Sequence, residues 1–317
     1  MKGSPWQHRI ITVFGGGGFI GRYVCEALFK TGVRVRVAQR TPRNAFFLQP
    51  LAAVGQLDLV RADFTRPDSL AAAVEASWGV INLVGAFDGR LAAIHGEAPG
   101  RIAELAAANG VESLVHVSAI GVSADSGSAY ARTKAAGEQA VRAAYPGATI
   151  IRPSVVFGQE DQFTNRFAGM SRLPVLPVLG ARTKFQPIFV RDLGQAIAKA
   201  AQDPGRFGGE TFELGGPDVM TMHELNRAIA TAAGRSPEII DLPDFLGDAM
   251  SRLGFLPGAP LTRDQWIMLQ RDNVATGPGL EAFGIQPTPL AAVAPEWLDR
   301  FHEGGRFASR RAQVSVD

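Results

Sequence analysis

Tyr130 and Lys134, four residues apart in AYARTKAAGE (129–138), are the side chains in this 317-residue chain best spaced to move a proton. On a helix, positions i and i+4 share one face. An ammonium beside a phenol favours the phenolate and lowers a pKa that starts near ~10. Tyr130 could then give a proton to a carbonyl oxygen or take one from an alcohol. Three tyrosines and five lysines in this length give only about 0.05 such pairs by chance. The competing expectation is a solvent-facing helix pair worth a few tenths of a kcal/mol. A third group must orient the reacting oxygen. Ser118, closing the apolar SLVHVSA (113–119), is the first choice, with Ser123, Ser126 and Ser128 as rivals in the following loop.

A second cluster lies near the start, in ITVFGGGGFIGRYV (11–24), where Gly15, Gly18 and Gly21 form G-x-x-G-x-x-G. With 36 glycines, chance supplies about 0.5 such triplets, so the spacing alone says little. Its position says more. The triplet joins the strand-like RIITVF (9–14) to the helical IGRYVCEALFKTG (20–32), where a dinucleotide's pyrophosphate meets a helix N-terminus. Gly15 would permit the tight turn, Gly18 would let backbone N–H groups approach phosphate, and Gly21 would let helix and strand pack closely. The alternative is a merely flexible turn. With a nicotinamide present, hydride transfer would accompany the proton on Tyr130, and Lys134 could bond the nicotinamide ribose.

The end of the second strand, VRVRVAQR (33–40), bears on the choice of dinucleotide. An Asp or Glu about 20 residues after the glycines usually meets a ribose 2′-hydroxyl. Here Arg40 and Arg43 stand instead and could pair with a 2′-phosphate, so NADP(H) is expected over NAD(H). They could equally be solvated loop charges. Asp63, ending QLDLVRAD (56–63), suits the adenine amino group or a cap on the next helix.

The elements that would position these residues alternate regularly. VINLVGA (80–86), helix PGRIAELAAANG (99–110), SLVHVSA, a helix from Ala129 to Ala144 and strand ATIIRPSVVFG (148–158) continue the pattern. Strands separated by helices pair in parallel through right-handed crossovers, which predicts an α/β, doubly wound, Rossmann-like sheet. The alternation fails after Gly158, returns in PIFVRDLGQAIAKAAQD (187–203) and ends in TFELGGP (211–217). The expected division is a nucleotide-binding domain, 1–158 and 186–217, with a smaller discontinuous C-terminal cap lobe, 159–185 and 218–317.

Composition excludes several classes. A net charge of +2, with 46% hydrophobic and 20% charged residues, gives no electrostatic footprint for nucleic acid. Cys25 alone makes no disulfide framework and reads as a small buried apolar side chain. The histidines at 8, 95, 116, 223 and 302 lack metal-ligand spacing, so no metal is expected. No run of about 18 apolar residues exists, and MKGSPWQHR lacks a signal pattern, so the expectation is a cytoplasmic protein without a membrane-spanning segment. The final FASRRAQVSVD is expected to fray.

Taken in order, these motifs resemble the short-chain dehydrogenase/reductase superfamily, in its extended or atypical branch with a C-terminal cap. VFGGGGFIGRYV, INLVGA, LVHVSAIGVSADSGSAYARTKAAGE, IIRPSVVFGQEDQFTNRFA, TKFQPIFVRDL, FELGGPD and LTRDQWIMLQRDNV together resemble one subfamily. It is the nucleotide-binding accessory subunit family of respiratory complex I and its alphaproteobacterial relatives. The resemblance implies cofactor contacts from Gly15, Gly17, Gly18, Phe19, Ile20 and Gly21, and from Arg40, Arg43, Asp63 and Phe64. It extends them to Leu83, Val84, Gly85, Val117, Tyr130, Lys134, Pro153, Ser154 and Val155. It also implies a tightly held NADPH without established turnover, docked on the hydrophilic arm at the cytoplasmic face of the inner membrane, in a structural, assembly or regulatory role. The other reading is an active NADP-dependent reductase, dehydrogenase or epimerase built on Ser118, Tyr130 and Lys134, acting on a carbonyl or hydroxyl, with ubiquinone synthesis as one setting. A third is a sensor of the NADPH/NADP⁺ ratio.

One departure bears on turnover. Many extended-branch enzymes carry a catalytic hydroxyl immediately after the serine matching Ser118, and this chain has Ala119 there. The triad lacks its orienting hydroxyl in that register and is complete if Ser118 serves. In the cap, Glu160, Asp161, Gln162, Arg166, Gln186 and Arg191 could touch substrate or tie the fold together. LTRDQWIMLQRDNV, with Trp266, Ile267 and Leu269, reads as an amphipathic helix for core packing or docking.

Overall fold

The computed structural model describes residues 5–86, 91–252, 254 and 261–302, so FASRRAQVSVD lies outside the described residues. The chain divides into two compact units, 1–153 with 190–214 and 275–286, and 154–189 with 215–274 and 287–317.

The first unit is built on seven strands: β1 (Ile10–Phe14), β2 (Arg34–Gln39), β3 (Leu57–Arg61), β4 (Gly79–Asn82), β5 (Ser113–Val117), β6 (Thr149–Pro153) and β7 (Thr211–Leu214). They lie in the order β7-β6-β5-β4-β1-β2-β3, every neighbouring pair parallel. The connecting helices are α1 (Phe19–Phe29), α2 (Pro67–Val74), α3 (Ala98–Ala108), α4 (Ala129–Ala144) and α5 (Val190–Gln202). Central β5 is buried at every position and reads as a continuous run, whereas edge β3 leaves Asp58 and Arg61 exposed. Phe14, Val80, Leu114 and Ile150 from the strands pack with Val74 of α2, Ile102, Ala103 and Ala106 of α3 and Val141 of α4. Helices α1 and α5 pack on each other, and α5 also on β4, β5 and β6. The close α1–α5 approach needs Gly194, where a Cβ would lie 2.9 Å from the Tyr23 carbonyl carbon. Strand order reverses at β1, so the carboxyl ends of β1 and β4 border the crevice where such sheets bind ligands.

Two expectations need correction. ATIIRPSVVFG is not one strand. β6 stops at Pro153, and Val156–Phe157 forms a separate parallel pair with Ile188–Phe189 in the second unit. Asn273 explains the break: the Ser154 hydroxyl lies 2.9 and 2.6 Å from its two oxygens, and the Val155 N–H donates to Oδ1 at 3.1 Å. Residues 275–286, assigned above to the cap, belong to the sheet unit. There Phe283 stacks on Phe207 with centroids 4.5 Å apart, and its carbonyl accepts from Lys199 Nζ.

The second unit has its own core of Phe157, Leu176, Met222, Leu225, Ile229, Trp297 and Leu298. Its α6 (Met222–Ala232) opens with a reciprocal Thr221–Glu224 capping box. Trp266 is buried with its ring over Gly247, and Leu269 packs beside Gly180, so the helix Arg263–Leu269 is a core element. Asp161 is also structural, accepting from the Gly158 N–H at 2.9 Å and the Thr164 N–H at 2.5 Å.

Candidate functional site

The β1–α1 turn is closed by its own backbone. Gly15 takes φ +80°, a left-handed conformation that glycine reaches without strain, donates its N–H to Ala38 O at 3.1 Å and accepts from the Gly18 N–H at 3.0 Å. A Cβ on Gly21 would stand 2.4 Å from Gly15 O and 2.6 Å from Gly16 Cα, so helix and turn touch through backbone alone. No side chain caps α1 at Gly18, and no carboxylate stands in its first turn of Phe19, Ile20 and Gly21. The helix therefore presents the positive end of its dipole without a built-in anion. Gln39 adds a brace: its Oε1 accepts the Gly17 N–H at 3.1 Å, and its Nε2 donates to Thr41 O at 2.8 Å. Cys25, against Gly16 O, is fully buried, and burial pushes its thiol pKa up, leaving a packing side chain.

Past β2, Arg40 and Arg43 are exposed, with no hydrogen bond or ion pair among the described residues. Asp63 Oδ1 accepts the Thr65 N–H at 3.0 Å and the Thr65 hydroxyl at 2.8 Å. Those bonds, then the charges of Arg61 and Arg40, hold its carboxyl below the usual range. Phe64 and Val84, both half-buried, each pack against the sheet core.

At β4 the chain runs on from Phe14: the Leu83 N–H donates to Phe14 O at 3.0 Å, and Gly15 faces the Leu83 backbone. Asn82 accepts the Val84 N–H and donates to His116 Nδ1 at 3.1 Å. A Cβ on exposed Gly85 would lie 3.6 Å from Lys134 Nζ. Lys134 and Tyr130, 4% and 8% exposed, share the buried face of α4, so the pair does not face solvent. The Lys134 ammonium donates to Val117 O at 3.1 Å. Burial lowers its pKa to about 8 against the opposing pull of Glu138, which Arg152 holds through two bonds at 2.9 and 2.7 Å.

Ser118 follows β5 directly, its N–H donating to Ile151 O at 2.7 Å. It is 4% exposed, and its hydroxyl has no hydrogen-bond partner. The rival serines are occupied: Ser128 caps α4 by accepting the Ala131 N–H, Ser126 accepts from the Ser128 N–H, and Ser123 from the Asp125 N–H. A buried hydroxyl without a partner costs about 1–3 kcal/mol and fits a ligand group absent from the isolated chain. Pro153 ends β6 with its carbonyl on the Ile120 N–H, while Ser154 and Val155 belong to the second unit and are held by Asn273. Arg191 is tied to Glu26 at 2.8 Å and stands over the Tyr23 ring, and Gln186 donates to Gly216 O.

The glycine cradle, the uncapped α1 and the free Ser118 hydroxyl suit a dinucleotide, and the family comparison agrees. Residues 11–215 match the NAD dependent epimerase/dehydratase family. The chain belongs to that family. It is an NAD(P)-binding family. Within the family, the chain is 36% identical over 313 residues to the mitochondrial NADH dehydrogenase [ubiquinone] 1 alpha subcomplex subunit 9 of Rattus norvegicus, covering 95% of this chain and 82% of that one. It is thus homologous to a complex I subunit. It is also 30% identical over 241 residues to the ceramide reductase of Caulobacter vibrioides, covering 74% of each. Among solved structures, the NADPH-dependent quinone oxidoreductase of Escherichia coli complexed with NADPH shares the fold, with TM-score 0.72, 19% identity and coverage of 90% of this chain and 99% of that one. Among the described residues, no helix is long and apolar enough to cross a membrane.

Sequence reasoning missed Gln39 and His95. Gln39 had a readable signal in its place at the end of β2, but its amide bonds depend on how two turns meet. His95, considered only as a metal ligand, sits 1% exposed beside Tyr130.

Proposed function

We propose that this protein is an NADP(H)-holding accessory subunit of respiratory complex I, peripheral to the hydrophilic arm at the cytoplasmic face of the inner membrane. The near full-length similarity to complex I subunits carries this reading. The uncapped first turn of α1, from Phe19 to Gly21, would hold the pyrophosphate, with Gly15, Gly17 and Gly18 leaving room for it. Arg40 and Arg43 would hold the 2′-phosphate, and Lys134 the nicotinamide ribose. The exposed guanidiniums and the lack of an acidic residue at the end of β2 support NADP(H) over NAD(H). Purification from the native organism in mild detergent tests it. The protein should migrate with complex I, and denaturing that fraction should release NADPH. Migration apart from the complex ends the accessory reading, and NAD(H) in place of NADP(H) ends the cofactor assignment.

A second reading, reductase activity, has a specific support in the Ser118 hydroxyl. When bound, the nicotinamide would supply or accept hydride. Ser118 would orient a substrate oxygen, Tyr130 would exchange its proton with that oxygen, and Lys134 would favour the phenolate. Under this reading Tyr130→Phe abolishes turnover and leaves NADPH affinity nearly unchanged. Under the accessory reading the same variant still assembles.

A further inference from the structure

The segment before α3 is wound as a π-turn over Ala92–Glu97, a rare geometry that recurs at functional sites. It carries His95 inward. The ring's Nε2 accepts the Ala86 N–H at 2.9 Å, so in the neutral imidazole the proton sits on Nδ1, which faces Thr133 Oγ1 at 3.3 Å. Thr133 is anchored in turn to Ala129 O and Tyr130 O. One imidazole thereby bridges the loop after β4 to the first turns of α4. The same ring meets Tyr130 edge to face, with centroids 5.1 Å apart. Gly85, next to Ala86, faces both Lys134 Nζ and His95 Nε2. The π-turn also requires Gly137, because a Cβ there would lie 1.9 Å from the His95 carbonyl oxygen. Burial and the Lys134 charge lower the His95 pKa to about 4, so Nε2 stays free to accept at neutral pH.

We infer that His95 is a positioning residue: its neutral imidazole latches the Gly85–Ala86 loop to α4 and seats the Tyr130 ring in the dinucleotide site. This rests on the dinucleotide reading above. The latch acts through two separable contacts, an acceptor for Ala86 and a ring face for Tyr130. His95→Phe keeps a ring and removes the acceptor. His95→Gln keeps an acceptor and removes the ring.

The test uses the full chain and four readouts: thermal midpoint, NADPH titration by fluorescence, tyrosine ionisation by ultraviolet difference spectra, and hydrogen exchange at the Ala86 amide. Tyr23, Tyr130 and Tyr145 are the only tyrosines, so subtracting the Tyr130→Phe spectrum isolates Tyr130. His95→Phe should raise the NADPH dissociation constant by about tenfold, with faster hydrogen exchange at the Ala86 amide. His95→Gln should restore affinity to within about threefold while still shifting the Tyr130 titration. Wild-type affinity and exchange in His95→Phe would overturn the inference. So would equal losses of thermal midpoint and affinity in both variants, which a merely structural histidine predicts. If the wild-type protein binds no dinucleotide, the functional reading fails by itself, and Ala86 exchange and Tyr130 titration still decide the latch.

Discussion

Replacing Gly21 and Gly169 with alanine should move stability in opposite directions. Both glycines lie in helices, α1 and Phe163–Met170, where alanine gains up to about 1 kcal/mol of helix propensity. At Gly169 the new Cβ would find its nearest neighbour, Phe301 Cε1, at 3.8 Å, which is ordinary contact. The propensity gain should survive there, raising stability by about 0.5–1 kcal/mol. At Gly21 the Cβ would meet Gly15 O at 2.4 Å and Gly16 Cα at 2.6 Å, against ordinary contact beginning near 3.4 Å. Those are backbone atoms, pinned by the Gly15 N–H to Ala38 O and by the Gly18 N–H to Gly15 O, so the overlap cannot be relieved by turning a side chain. Overpacking of this kind costs about 1–3 kcal/mol and more where backbone must shift, which outweighs the propensity gain. At roughly 2–4 °C per kcal/mol for a unit of this size, Gly21→Ala should melt several degrees lower and Gly169→Ala slightly higher. Calorimetry with and without NADPH reads both, and Gly21→Ala should also lose most of the stabilisation that NADPH gives. A Gly21→Ala protein as stable as the wild type, with normal NADPH stabilisation, would refute the claim that α1 packs on the turn through bare backbone.

Arg40→Ala should weaken NADPH by about tenfold or more while leaving NADH nearly unchanged, and equal losses for both nucleotides would remove the 2′-phosphate assignment. Stability should fall as pH drops from about 6.5 towards 4.5. Burial, with the Lys134 charge second, lowers His95 to about 4 and His116 to about 3, so the unfolded chain takes up protons in that window and the folded one does not. Their contribution is fully present above the unfolded pKa and shrinks with acid. His116→Gln should flatten the slope in denaturant titrations across that range, and an unchanged slope would count against the neutral buried imidazoles.

The sheet was legible because its strands and helices announce themselves locally, through apolar β-branched runs, glycine ends and Ala-rich spacing. Tyr130, Lys134 and the glycine triplet were legible for the same reason, since each signal is contained within a few residues. What sequence could not give is long range. The split of ATIIRPSVVFG comes from Asn273, over a hundred residues away, and the return of 275–286 to the sheet unit rests on the Phe283–Phe207 stack. Among the four serines, sequence position already favoured Ser118, but the reason its rivals are excluded was not readable. It depends on which hydroxyls local turns consume, and Ser118 is the one left without a partner.

The charges beneath the site limit what its residues can do. Lys134, His95 and His116 lie close enough to perturb one another, and all three are shifted towards their neutral forms by burial. The imidazoles give way first, falling to about 4 and 3, whereas Lys134 remains near 8 because Glu138 opposes the burial. Arg152 pairs with Glu138 at 2.7 Å, and the shifted groups resolve into one ammonium and two neutral rings at pH 7. That distribution serves either functional reading. An ammonium can give the neutral hydroxyls of a bound ribose a charge-assisted hydrogen bond, and the same positive charge favours the ionised form of a phenol beside it. A second cation at His95 would push Lys134 lower still, and it would also forfeit the acceptor that holds Ala86. The neutral histidine is therefore a condition for the lysine's charge as well as for the loop's position.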